Sequence, residues 1–97
     1  MIKGNKAYLA AYKKAVHKYG TEAQLIKCVE ELAELQKELC MLCNCHGDIE
    51  NVKDELADVL IMVDQVVHII GIDKKKLKEH MDYKIERLKQ RLIVKTH

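Results

Sequence analysis

Apolar residues recur every three or four positions in four stretches of the chain, which is the period of an amphipathic helix. The second and third stretches show it at Leu25, Cys28, Leu32, Leu35, Leu39 and Leu42, and at Val52, Leu56, Val59, Val63, Val66, Val67 and Ile70. The first and fourth show it at Tyr8, Ala11, Tyr12, Ala15 and Tyr19, and at Leu77, Met81, Ile85, Leu88 and Leu92. No segment alternates as a strand does. The pattern predicts an all-α chain.

Residues that start and stop helices stand between these stretches. The side chains suited to cap a helix N-terminus are Asn5, Asp48 and Asp73. Gly20 and Gly71 are placed to end the first and third helices. The sequence TEAQ at 21–24 has the form of a capping box, so a second helix should run from there to about Cys43. The short connections predict a four-helix bundle-like fold.

Size and composition fit one small domain spanning residues 1–97. The chain lacks proline, and its net charge of +2 gives no case for nucleic-acid binding. No segment resembles a signal peptide or reaches membrane-spanning length, so we expect a cytoplasmic protein with reduced cysteines and no membrane partner. An all-helical chain this short often completes its core by oligomerising, which predicts a homo-oligomer.

A six-residue acidic motif occurs twice, as EELAEL at 30–35 and as DELADV at 54–59. Glu31, Glu34 and Glu38 lie on one border of the second helix's apolar stripe, and Glu55 and Asp58 lie on the same border of the third. If the two helices pack antiparallel, these two pairs should face one another at the edge of the core.

Carboxylates that converge in a half-buried place repel one another unless a cation lies among them. Because only carboxylate oxygens are offered, Mg²⁺ is the expected ion and Mn²⁺ a possible substitute. Iron is disfavoured, since no histidine follows a glutamate by three residues. The alternative is a solvated acidic surface in which Lys27, Lys37 and Lys53 pair with the acids.

These residues resemble the ExxE…ExxD signature of the MazG-like, all-α nucleoside triphosphate pyrophosphatases. Glu31-x-x-Glu34 and Glu55-x-x-Asp58 are separated by residues 35–54, and KYGTEAQLIKCVEELAEL, NVKDELADVLIMVDQV and YKIERLKQRL look like the family's helices. The resemblance covers about residues 12–92. It implies Mg²⁺-dependent hydrolysis of a nucleoside triphosphate to the monophosphate and pyrophosphate, in a homodimer or homotetramer.

Carried over to this chain, the resemblance implies that Glu31, Glu34, Glu55 and Asp58 hold one or two Mg²⁺ ions. Glu34 is the candidate catalytic base. Glu30, Glu38 and Asp54 are expected either around the metal ligands or at the surface, and the surface is favoured. Lys84, Arg87 and Arg91 share one border of the fourth helix with Tyr83 beside them, and are the candidate substrate-binding residues. A basic solvated edge is the alternative for these four. The preferred base and sugar stay open.

Two further interpretations come from the same sequence. Cys40, Cys43, Cys45 and His46 have a spacing that could ligate zinc, but no second cysteine pair follows, so free thiols are expected. The chain could also be a non-catalytic helical adaptor, with surface acids and an apolar stripe that builds an oligomer, or a metal-binding bundle without hydrolase activity.

Overall fold

The computed structural model of the protein describes residues 5–95. Its helices are α1 (Lys6–Tyr19), α2 (Thr21–Cys43), α3 (Ile49–Ile70) and α4 (Lys74–Lys95). No strand occurs within residues 5–95, so the predicted all-α, bundle-like fold is confirmed.

Three of the predicted N-caps are present as hydrogen bonds. The side-chain oxygen of Asn5 accepts from the backbone N–H of Ala7 at 2.9 Å, that of Asp48 from Glu50 at 2.9 Å, and that of Asp73 from Lys75 at 2.9 Å. Gly71 ends α3 with φ of 78°, in the left-handed region where a glycine avoids the Cβ penalty.

The start of α2 was predicted at the right place but for a wrong reason. Gly20 is the N-cap, Thr21 is already helical, and no side chain caps the first turn. Gln24, which a capping box would turn back to the helix start, is buried. Its Oε1 accepts a 2.7 Å hydrogen bond from Nε2 of Gln65. A buried amide is costly to leave unpaired, so this interhelical bond prevails over the local cap.

An antiparallel hairpin of α2 and α3 forms the centre of the fold. The turn at 44–48 reverses the chain, and the bond between Gln24 and Gln65 ties the start of α2 to the end of α3. The buried apolar side chains come mainly from these helices and are Tyr12, Cys28, Val52, Val59, Met62 and Val67. Burial of this apolar surface holds the hairpin together and fixes which faces of α2 and α3 meet.

Helix α1 packs against both members of the hairpin. Tyr12 is the buried member of its tyrosine stripe, and its hydroxyl donates a 2.9 Å hydrogen bond to Oδ2 of Asp64 on α3. Tyr8 and Tyr19 remain 41% and 59% exposed. Of the three tyrosines in the apolar stripe of α1, Tyr12 alone therefore packs in the core.

Helix α4 packs closely against none of the other three helices. Its apolar stripe is exposed to between 42% and 56%, at Met81, Ile85, Leu88 and Leu92. Leu32 and Leu39 of α2 are exposed as well. A single copy of the chain therefore leaves part of each predicted stripe uncovered. Within the described residues, no helix is both long and apolar enough to span a membrane.

Candidate metal centre

Three carboxylates from two helices converge at one edge of the hairpin. One carboxylate oxygen from each of Glu31, Glu55 and Asp58 lies within 4.8 Å of the others. Glu31 projects from α2, while Glu55 and Asp58 lie about one turn apart on α3. Within residues 5–95, these three side chains hold their ligand atoms close enough together to share one metal ion. We call these three residues the acidic cluster.

Burial and charge both act on the α3 members of the acidic cluster. Glu55 is half-buried, and its Oε2 is buried without a hydrogen-bond partner. Loss of solvent raises the pKa of Glu55, and the charges of Glu31 and Asp58 raise it further. Loss of solvent also raises the pKa of Asp58, followed by the charge of Glu31. The neighbouring carboxylates therefore make Glu55 and Asp58 harder to ionise.

Lys27 is the cation that the structure places beside the acidic cluster. Its Nζ lies 3.2 Å from Oε1 of Glu31 and 3.9 Å from Oε2 of Glu30. The hydrogen bond to Glu31, and then the charge of that carboxylate, raises the pKa of Lys27. Lys53 pairs with Glu50 at 2.8 Å. Neither Glu55 nor Asp58 forms an ion pair with any described residue, so lysine pairing alone does not neutralise the cluster.

The structure brings together three of the four predicted metal ligands. Glu34 is exposed and lies outside the acidic cluster, although it is near enough for its charge to raise the pKa of Glu55. Glu31 faces α3 fully, whereas Glu34, three residues on, is rotated about 60° toward solvent. Glu34 therefore lies at the edge of the acidic cluster.

Glu38 differs from its predicted place at the surface. The side chain is half-buried, and its Oε2 is buried without a hydrogen-bond partner. This burial fits the predicted position of Glu38 on the same border of α2 as Glu31, because a residue seven positions further on returns to the same face of a helix. It adds a second orphaned carboxylate oxygen to the α2–α3 interface.

The chemistry of the acidic cluster suits a hard divalent cation. All three converging groups are carboxylates, and Glu55 supplies a buried oxygen that no protein group satisfies. Mg²⁺ is bound in proteins by a few carboxylates, with water or phosphate oxygens completing its octahedron. The residues present therefore fit Mg²⁺, or Mn²⁺ in its place.

A cavity of about 440 Å³ lies beside Lys27 and Glu30. Tyr19 lines it together with Gln24 and Met62. The exposed ring of Tyr19 and the thioether of Met62 offer the flat, apolar surfaces on which a base can stack. The helical period lists Tyr19 only as a member of an apolar stripe and carries no sign that its ring borders a cavity.

The predicted substrate-binding residues lie together on α4, away from the acidic cluster. Lys84, Arg87 and Arg91 line a cavity of about 160 Å³. The guanidinium of Arg87 lies 6.0 Å from the ring centroid of Tyr83, which also stacks on His80 at 6.3 Å. Within residues 5–93, no hydrogen bond or ion pair joins these basic side chains to the acidic cluster.

The cysteine-rich segment forms no metal site among the described residues. Cys40, Cys43 and Cys45 are free and exposed, and they do not converge with His46 on a common point. Cys28 is buried in the core, where loss of solvent raises the pKa of its thiol.

No family model, curated protein or solved structure matches the chain.

Proposed function

We propose that this chain is a Mg²⁺-dependent, MazG-like nucleoside triphosphate pyrophosphohydrolase, which cleaves its substrate to a nucleoside monophosphate and pyrophosphate. The observation that carries the proposal is the convergence of Glu31, Glu55 and Asp58 within 4.8 Å at the edge of the α2–α3 hairpin. The motif that these residues form supports the particular reaction.

Each residue near the acidic cluster has a role in this reaction. Glu31, Glu55 and Asp58 hold the ion, which when bound neutralises charge at the phosphates and lowers the pKa of a coordinated water. Glu34 is exposed beside the cluster and accepts a proton from the attacking water as general base. Lys27 stays protonated beside Glu31 and would contact a phosphate oxygen of the substrate.

The cavity beside Lys27 is the proposed place for the base. Tyr19 is exposed at its wall, and Lys27 and Glu30 form the side nearest the acidic cluster. A base stacked on Tyr19 therefore leaves its triphosphate directed toward the carboxylates. This orientation is what hydrolysis between the first and second phosphates requires.

A second copy of the chain is the proposed partner, in a homodimer or homotetramer. Helix α4 exposes Met81, Ile85, Leu88 and Leu92 along one stripe, and such a contiguous apolar face is typical of an interface. Lys84, Arg87 and Arg91 do not reach the acidic cluster of their own chain. In an oligomer, they are free to approach the triphosphate bound by a neighbouring copy.

The exposed stripe of α4 also favours the second candidate function, a non-catalytic helical adaptor. An adaptor would use the stripe to bind its partner and would carry the acids as an ordinary charged surface. It needs neither Mg²⁺ nor a nucleotide. Turnover is therefore the property that separates the two candidates.

The test is to incubate the purified chain with a panel of ribo- and deoxynucleoside triphosphates, in Mg²⁺ and in EDTA, and to identify the products. The proposal expects equal amounts of monophosphate and pyrophosphate from at least one nucleotide, in Mg²⁺ alone. Glu34→Gln should lower the rate by about 10²-fold or more with the fold intact, while Glu22→Gln, an exposed acid at the start of α2, should not. Diphosphate and inorganic phosphate as products would contradict it.

A further inference from the structure

A second cavity, of about 500 Å³, lies on another side of the molecule from the acidic cluster. It opens between the start of α1, the end of α3 and the start of α4, and its lining includes Asn5, Lys6, Asp64, His68 and Lys74. Asp64 follows Asp58 by six residues, which places it roughly 9 Å along α3 and about 120° around it. No member of the acidic cluster lines this cavity.

The floor of this cavity carries a buried carboxylate with one unsatisfied oxygen. Asp64 is 3% exposed. Its Oδ2 accepts the hydrogen bond from Tyr12, whose pKa is raised to about 12, so that the hydroxyl keeps its proton and remains the donor. Oδ1 has no hydrogen bond. A buried carboxylate oxygen without a hydrogen bond is costly, and here it belongs to a residue that lines a cavity.

Lys74 is the nearest cation to that oxygen, but it is held loosely. Its Nζ lies 3.4 Å from Oδ1 of Asp64 without making a hydrogen bond, and its side chain is 55% exposed. A long, exposed lysine exchanges partners at little cost. A ligand with better hydrogen-bond donors can therefore take Oδ1 and release Lys74 to another group.

The rim of the cavity is positive. Lys6 is the first residue of α1 and Lys74 the first of α4, and both line the cavity. The N–H groups at these two helix starts are already capped by Asn5 and Asp73, so the two ammonium groups are what attracts an anion. Leu9, Val67 and Ile72 supply apolar walls between this rim and the carboxylate.

We propose that this cavity binds a guanine nucleotide, with Asp64 receiving the base and Lys6 and Lys74 receiving the phosphate. Guanine presents two adjacent N–H donors, N1–H and the N2 amino group, which match a carboxylate. Adenine and cytosine place an acceptor beside their amino group, and uracil flanks its N–H with two carbonyl oxygens, so each would set an acceptor against Asp64. The volume of the cavity is in the range of small-molecule sites. The proposal does not depend on hydrolysis at the acidic cluster.

The test is calorimetric titration of the full chain with GMP and with AMP in EDTA, which removes any metal-dependent binding. We expect GMP to bind at least about tenfold more tightly than AMP, because a site built to pair a donor rejects a base that lacks it. Lys6→Ala and Lys74→Ala should each weaken GMP binding several-fold. Lys14→Ala on α1 and Lys75→Ala on α4 are the matched controls, since both lysines are exposed outside the cavity, and they should leave it unchanged.

Asp64→Asn should abolish the preference for GMP over AMP, with helix content checked by circular dichroism. Asp64 is buried and bonded to Tyr12, so if circular dichroism shows that this variant does not fold, the lysine variants and their controls decide alone. Equal affinity for GMP and AMP, or no binding of GMP at about 1 mM, would overturn the proposal. So would GMP binding that is lost in Glu55→Gln but unchanged in Lys6→Ala and Lys74→Ala, since that places the nucleotide at the acidic cluster.

Discussion

Glu55 is the residue on which burial and like charge act together most clearly. Loss of solvent, and then the charges of Glu31, Asp58, Glu34 and Asp54, all raise its pKa, and no described group lowers it. Such a residue destabilises the metal-free fold when it is ionised. The presence of Glu55 is explained if a cation binds there, because attraction to a divalent ion then replaces repulsion by the neighbouring carboxylates.

Glu55→Gln is therefore expected to raise the melting temperature of the metal-free protein at pH 7 and to abolish the stabilisation by Mg²⁺. The reason is that the substitution removes one of the mutually repelling charges and one metal ligand. Thermal unfolding in EDTA and in Mg²⁺ measures both effects. Glu50→Gln is the control on the same helix, because Glu50 is exposed, pairs with Lys53 and lies at the favourable N-terminal end of α3.

The pH dependence of unfolding should have a definite sign. A carboxyl whose pKa is raised in the folded state favours folding at low pH, and this contribution is lost as pH rises through the folded pKa. The metal-free protein should therefore lose the Glu55 and Asp58 contributions from about pH 4 upward. Glu55→Gln should reduce that loss. A Glu55→Gln protein less stable than wild type in EDTA at pH 7 would contradict the account.

In the proposed function, Lys27 would compete with the metal ion for Glu31. Its Nζ lies 3.2 Å from Oε1, and the contact raises the pKa of Lys27. Lys27→Met keeps the apolar stem and removes the charge, so we expect Mg²⁺ binding without nucleotide to tighten by roughly two- to tenfold. Calorimetric titration measures it, with Lys53→Met as the control because Lys53 pairs with Glu50. Weaker Mg²⁺ binding in Lys27→Met would count against this assignment.

For single residues, the helical period of the sequence predicted which acids converge, but not which buried polar side chains pair between helices. The helical period places Glu31, Glu55 and Asp58 on facing borders, and the structure brings them together. The Tyr12–Asp64 and Gln24–Gln65 bonds join residues far apart in the chain. No local pattern signals such pairs, because each partner's burial depends on how the helices pack.

The turn between α2 and α3 is the element that aligns the acidic cluster. Gly47 approaches the backbone so closely that an added Cβ would lie 2.5 Å from the nitrogen of Leu42 and 2.6 Å from its Cα. Those atoms belong to the last turn of α2. Any larger residue at position 47 must therefore shift the hairpin, and with it the distance between Glu31 and the two acids of α3.

Gly47→Ala should destabilise the fold by about 1–3 kcal/mol and weaken Mg²⁺ binding as well. Gly71→Ala provides the comparison at the other end of α3, where nothing lies within 4 Å of an added Cβ. Its φ of 78° makes alanine cost about 1–2 kcal/mol, but the hairpin is untouched. Denaturant unfolding and Mg²⁺ titration should therefore separate the two variants. Equal Mg²⁺ affinity in both would contradict the role given to the turn.

Helix existence and ends were predictable because capping residues and glycines act locally. Asn5, Asp48 and Asp73 cap as expected, and Gly71 ends α3. The capping box failed because Gln24 is recruited by a partner on another helix. Leu32 and Leu39 satisfy the helical period and remain exposed, because the period identifies an apolar face without saying what covers it.

At the scale of the whole molecule, α4 is the helix whose apolar face is not covered by the rest of the chain. It extends from the three packed helices and contributes to extents of 54 × 37 × 22 Å. Its apolar stripe and the exposed leucines of α2 are the surface that an oligomer would bury. The same helix carries the basic residues Lys84, Arg87 and Arg91, so assembly and substrate binding are linked in the proposed function.

Leu88→Glu places a charge at the middle of the α4 stripe and should dissociate the oligomer while leaving helix content unchanged. Light scattering after size-exclusion chromatography measures the mass, which should fall to that of the 11.2 kDa chain. Lys89→Glu is the control at the neighbouring exposed position. A wild-type protein that is already a monomer at high concentration would contradict the proposed assembly.

The most direct test of the central claim is the rate of pyrophosphate release from nucleoside triphosphates as Mg²⁺ is titrated, compared between wild type and Asp58→Asn. The account predicts release that rises and saturates with Mg²⁺ in the wild type and falls by at least about 10²-fold in a folded Asp58→Asn protein. Equal release from both proteins, or release from the wild type that persists in EDTA, would show that the acidic cluster is not the catalytic centre.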